Sequence, residues 1–182
     1  MQGLIRTAAL ALLSLTVSGC ATTMTVSSHL DPTADFARYR SYDWGPADAL
    51  PTSDPRLARN PSFQDYLQGA IARQLALRGL EQSTSGTPDF LIHYHTNVTS
   101  RLTVDGVDRE RGYCSGDNCL GEVAEYEAGT FVLDVVDART NKLIWRGWAQ
   151  DTLDSAISNP DRMEQKVDEA IPRILARFPM GR

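Results

Sequence analysis

The stretch Thr130–Gln150, TFVLDVVDARTNKLIWRGWAQ, constrains the fold more than any other part of the chain. Phe131, Leu133 and Val135 alternate with Val132, Asp134 and Val136, the period of two that marks a strand with unlike faces. Asp137–Asn141 supplies turn-forming residues, and Leu143–Trp148 returns as the second arm of a hairpin. Asp134 and Arg146 can meet across it, as an exposed pair contributing less than about 1 kcal/mol. Trp145 and Trp148 are both candidates for a contact surface. Their opposite parity sends one to the core and leaves the other exposed or covered by a neighbouring segment.

A hairpin with one apolar face needs a cover, and two amphipathic segments offer one. Asn60 caps and Pro61 opens a helix whose Phe63, Leu67, Ala70, Ile71 and Leu75 recur at helical spacing, with Gly79 as its stop and Leu80 folding back. Asn159 and Pro160 open the second, with a stripe of Met163, Val167, Ala170, Ile171, Ile174, Leu175 and Phe178. Pro172 interrupts that stripe and predicts a kink. Two further strands are expected, Phe36–Trp44 with an aromatic face and Pro88–Val98. Gly45–Pro61 reads as loop, and Thr99–Gly129, studded with glycines and charges, as a long excursion serving as contact surface. The order strand, helix, strand, hairpin, helix gives an α+β fold: two helices on one face of a mostly antiparallel sheet.

The start of the chain carries an address. Met1–Arg6 is short with one positive charge, Thr7–Val17 is uncharged and rich in Ala and Leu, and Ser18-Gly19 precedes Cys20, the three parts of a secretory signal. The polar residues after Val17 make the run too short to span a membrane. Val17-Ser18-Gly19-Cys20 resembles the lipobox of bacterial lipoproteins, which implies cleavage before Cys20 and lipid on its sulfur and amino group. Two acyl signals hold a protein on a bilayer stably where one does not. Ala21, in place of the aspartate that resembles an inner-membrane retention signal, favours the outer membrane. The expected division is residues 1–19 as signal peptide, 20–30 as lipidated Cys20 and tether, and 31–182 as a single α+β domain.

Loss of residues 1–19 removes one of 18 basic residues and none of 23 acidic ones, leaving a formal charge of −6. That acidity argues against nucleic acid and against electrostatic docking on anionic lipid. Cys114 and Cys119 remain, in YCSGDNC. Outside the cytoplasm the favoured reading is a disulfide closing a short loop; a lone C-x4-C is a weak metal signal.

Several motifs together resemble a known family. They are Tyr39-x-x-Tyr42-Asp43-Trp44, Leu75-x-x-x-Gly79-Leu80, Pro88-Asp89-Phe90-Leu91-Ile92, Gly129-Thr130-Phe131, Val136-Asp137-Ala138-x-Thr140, Leu143-x-Trp145-Arg146-Gly147 and Phe178-Pro179. In this order, over nearly all of residues 25–180, they resemble the lipoproteins called domain of unknown function 4136. The resemblance implies an envelope lipoprotein and this fold, and carries over no catalytic residue.

Chemistry has few footholds. His93 and His95 project from one face of a strand and can begin a metal site, but a third and fourth ligand are missing. The other reading is a solvent-facing strip of Leu91, His93, His95 and Asn97 behind a core strip of Phe90, Ile92 and Tyr94. Acid/base work would fall to Asp89, Asp105, Glu110, Asp134 or Asp137, whose spacing alone defines no pair. Nucleophile elbows and phosphate-binding glycine loops are absent. The tyrosine and tryptophan set Tyr42, Trp44, Trp145 and Trp148 either packs internally or exposes a partner or glycan surface. The expectation is a non-catalytic lipoprotein with no cofactor beyond the lipid on Cys20. It is held to the outer membrane facing the periplasm, and it contacts an envelope protein partner. The alternative is a metal- or small-ligand-binding lipoprotein using His93 and His95.

Overall fold

The computed structural model describes residues 24–46, 54–105, 122–153 and 156–179. In chain order the elements are β1 (Thr25–Leu30), β2 (Ser41–Trp44), α1 (Pro55–Ala58), α2 (Pro61–Ala76), β3 (Glu81–Gln82), β4 (Phe90–Asp105), β5 (Glu122–Asp137), β6 (Lys142–Thr152) and α3 (Pro160–Leu175). This is an α+β fold on a six-stranded mixed sheet ordered β1-β6-β5-β4-β2-β3. Neighbours β1/β6, β6/β5 and β5/β4 run antiparallel, whereas β2 is parallel to both β4 and β3.

The hairpin forms where its pattern places it. Asp137 Oδ1 accepts from the backbone N–H and hydroxyl of Thr140, and Asn141 takes the left-handed conformation (φ 54°) that asparagine tolerates. A bulge between Val135 and Val136 leaves Ile144 without a direct partner, so Ile144 and Trp145 are both buried although adjacent. Trp145 is the core member of the tryptophan pair. Its ring lies over Gly147, where Ile174 of α3 also approaches, and meets Phe178 edge to face at 5.1 Å. Trp145 therefore offers no contact surface.

Both long helices start on the capping asparagines. Asn60 accepts the N–H of Phe63 and Asn159 that of Arg162. Gly79, with φ of +74°, ends the turn after α2, and the Leu80 N–H returns to the Leu75 carbonyl. Phe63 of α2 stacks on Phe131 of β5. Buried residues of α2 and α3 share one core with Phe90, Ile92, Phe131, Leu133, Val135 and Trp145, which the register puts on one face of the sheet. Pro172 stands in the last turn of α3, which closes at Leu175; buried Phe178 thus sits in the turn beyond the helix.

Four further expectations need correction. Phe36–Trp44 is not one strand. The Asp35 side chain accepts the Ala37 N–H and starts a 3₁₀ turn at Phe36–Arg38, so pairing begins only at Ser41. Gly45–Pro61 contains the helical turn α1, capped by Asp54 through the Arg56 N–H. Within Thr99–Gly129, residues 99–105 and 122–129 are strand, since β4 and β5 stay in register from Phe90/Asp137 to Asp105/Glu122. Backbone pairing needs no apolar side chains, so a polar stretch hides it. Residues 25–30, within the stretch read as tether, form β1. Cys20, Cys114 and Cys119 lie outside the described residues.

Candidate functional site

The face of the sheet opposite Phe131 and Trp145 is where the remaining candidates gather. Residues directly paired across strands share a face, at a spacing of about 4.8 Å between strands. One row across β1, β6, β5 and β4 therefore reads His29, Arg146, Asp134, His93. The next reads Ser27, Trp148, Val132, His95, and the third Thr25, Gln150, Thr130, Asn97. All three histidines of the chain thus stand on one sheet face. Leu91, His93, His95 and Asn97 do share this face, with Phe90 and Ile92 buried behind them, but only Asn97 is exposed; the other three, and Tyr94 on the core side, are partly buried.

Asp134 organises the first two rows. Its two oxygens each accept at 2.6 Å from Nε and Nη2 of Arg146, a bidentate pair. His95 Nε2 lies 3.8 Å from Asp134 Oδ2. Burial pushes the Asp134 carboxyl up, but the hydrogen bonds and charge of Arg146, then of His95, outweigh it and hold the group below the usual carboxylate range. The pair is not the exposed contact the sequence suggests, because the Asp134 side chain is 2% exposed. Arg146 and His95 lie against it, which alternation alone does not reveal.

His93 is covered from one side. A Cβ on Gly45 would stand 2.1 Å from its Cε1, so the backbone after β2 runs directly over the imidazole. That burial, only partly offset by Asp134 and reinforced by His95, pushes the His93 pKa down. The two histidines do share a face, but the carboxylate between them is committed to Arg146. Among the described residues no three His, Cys, Asp or Glu side chains converge as a metal-ligand set.

Trp148 is half-buried beside Arg146 and Gln150, its neighbours along the same face of β6. The face offers the partly exposed Trp148 with hydrogen-bonding groups around it, next to the Asp134 carboxylate that Arg146 neutralises. It suits recognition by contact.

Of the other acid/base candidates, Asp89 and Asp137 have structural partners, whereas Glu110 and the Asp105 side chain lie outside the described residues. Asp89 Oδ2 accepts the backbone N–H groups of Arg40 and Ser41, joining β2 to the start of β4. Asp137, buried, binds the Tyr39 hydroxyl at 2.9 Å and Arg38, besides its own turn. Burial pushes it up, yet Thr140, Tyr39 and Arg38 hold its pKa at about 2. The sequence hinted at the turn role of Asp137 but not at Arg38, which is 99 positions away.

Comparison with known proteins follows this geometry. The family model described as Domain of unknown function (DUF4136) matches residues 26–180. No curated protein matches the chain in sequence. Among solved structures, a PDZ domain protein from Parabacteroides distasonis ATCC 8503 is 12% identical with a TM-score of 0.54. That match covers 86% of this chain and 36% of the other, so this chain spans about a third of that protein's length. A PelC dodecamer from Paraburkholderia phytofirmans is 10% identical over 87% of this chain and 99% of that one, with a TM-score of 0.48. At such identities the likeness to the first is one of fold.

Proposed function

The chain belongs to the DUF4136 family, and on that premise we propose that it is a non-catalytic lipoprotein of the outer membrane that works by contact with an envelope protein. In this reading residues 1–19 are removed as a signal and Cys20 carries the lipid. The single domain then faces the periplasm. Both long helices form one layer on the Trp145 face of the sheet, and the Trp148 face is left to a partner.

The observation that carries the contact reading is Trp148, half-buried between Arg146 and Gln150 on a face of mixed polar groups. Tryptophan and arginine together are the residue types enriched at the energetic centres of protein interfaces. The formal charge of −6 on the mature chain gives no electrostatic hold on anionic lipid, which is why a covalent anchor is needed. No helix among the described residues is long and apolar enough to cross a membrane. Asp134, Asp137 and Asp89 are tied into the fold by Arg146, Arg38 and backbone amides, which supports a binding role over acid/base work.

Anchorage is tested by the intact mass of the chain extracted from membranes. The expected product begins at Cys20 and carries added lipid mass. A chain that still begins at Met1, or one with an unmodified Cys20, contradicts the proposal.

A further inference from the structure

A second concavity, away from the Trp148 face, is lined by Phe36, Tyr39, Arg40, Arg78, Gly79, Leu80, Phe178 and Pro179, and its volume is about 130 Å³. That is room for about four waters at roughly 30 Å³ each, or for one small organic acid. Two arginines share it in a chain whose acidic residues outnumber its basic ones.

Arg78 donates from Nη1 to the backbone carbonyl of Gln74 at 2.7 Å and to its Oε1 at 3.0 Å. Arg40 donates from Nη1 to the carbonyls of Ala37 at 2.8 Å and Tyr39 at 2.7 Å. Carbonyls thus fix one nitrogen of each fork, and among the described residues neither guanidinium meets a carboxylate. The nearby acids are already used. Asp137 is taken by Arg38, Tyr39 and Thr140, and Asp89 by the backbone amides of Arg40 and Ser41. A contrasting cleft between the starts of α2 and α3, about 410 Å³, has its arginine Arg56 bound to both Asp54 and Glu127.

Two cations beside one cavity repel each other, and Arg78 is also partly buried, which raises its cost unless an anion joins it, while Arg40 stands exposed at the rim. Burial does push the Arg78 guanidinium pKa down, with nothing opposing it. The rest of the lining decides what kind of anion. Phe36 and Phe178 meet edge to face at 5.7 Å, and with Leu80 and Pro179 they give the cavity an apolar wall. Phosphate has nothing to place against that wall.

We propose that this cavity binds a small carboxylate with a short apolar substituent, its carboxylate received by Arg40 and Arg78 and its apolar end lying against Phe36, Leu80 and Phe178. Arginine suits the task because its planar fork matches a carboxylate with two parallel hydrogen bonds.

The test is an NMR titration of the purified full chain in detergent with butyrate, with butyramide and inorganic phosphate as parallel probes. Butyrate is expected to shift the Gly79 and Leu80 amide signals saturably, and butyramide is expected to leave them unchanged. Arg78→Gln and Arg40→Gln are each expected to weaken butyrate binding about tenfold or more, the size of a lost hydrogen bond to a charged group. Having two variants keeps the test independent of either one failing to fold. Equal shifts with butyramide, tighter binding of phosphate, or no saturable shift with butyrate overturns the proposal.

Discussion

Arg146 and Asp134 stand directly opposite each other on β6 and β5 and share two hydrogen bonds of 2.6 Å, with the aspartate buried and the arginine half exposed. Removing the arginine leaves the buried carboxylate without its bidentate partner and only partly open to water. Arg146→Ala is expected to destabilise the domain by about 2 kcal/mol, below the 3–5 typical of fully buried pairs because the arginine side is wet. Urea unfolding measures this. A loss under about 0.5 kcal/mol, the range of ordinary surface changes, would mean the pair contributes no more than an exposed contact.

Acid stability depends on Asp137. Its folded pKa of about 2 lies below the ordinary value of 3.8. A depressed carboxylate contributes stability above its unfolded pKa, and that contribution is lost as pH falls through the folded one. The slope from this group therefore falls between about pH 4 and pH 2. Asp137→Asn is expected to be less stable at neutral pH and to show a flatter decline over that window in thermal melts followed across pH. An unchanged slope contradicts the assignment.

Gly45 and His93 form a steric pair. Gly45→Ala puts a methyl group 2.1 Å from the imidazole, closer than any real contact. The expected cost is about 1–3 kcal/mol, the range for overpacking. In a His93→Ala background the same change is expected to cost under about 0.5 kcal/mol, so the double-mutant cycle gives a large coupling. Additive costs would show that the backbone after β2 does not rest on His93.

The two tryptophans separate packing from recognition. Trp145→Ala empties a site in the core and is expected to cost about 3–5 kcal/mol or to prevent folding. Trp148→Ala is expected to cost less, under about 1.5 kcal/mol, since part of its surface already meets water. Comparable costs for both would place Trp148 in the packing rather than on a contact face.

Local signals carried most of the fold. The Asn-Pro starts at Asn60 and Asn159, the Gly79 stop and the Asp137–Asn141 turn each act within a few residues, and each stands where its chemistry requires. The reading failed where a nearby competitor won. Asp35 turned the predicted strand at Phe36 into a 3₁₀ turn, and the β4/β5 ladder ran on through residues too polar to announce it. For the site, alternation put His93 and His95 on one face and separated Trp145 from Trp148 without saying which is core, and it could not show the burial of Asp134 or the cover of Gly45. Those depend on strands and loops distant in sequence. Arg40 and Arg78 carried no signal, because an arginine without a carboxylate is recognised only once its neighbours are known.

The most direct test of the contact reading compares two positions in living cells. A photoreactive amino acid replaces either Trp148 on the sheet face or Leu77 on the far end of α2, which is 79% exposed. Crosslinking followed by mass spectrometry is expected to capture one envelope protein from position 148 and nothing comparable from position 77. Capture of that same protein from position 77 and not from 148, or no capture from 148 at all, contradicts the account.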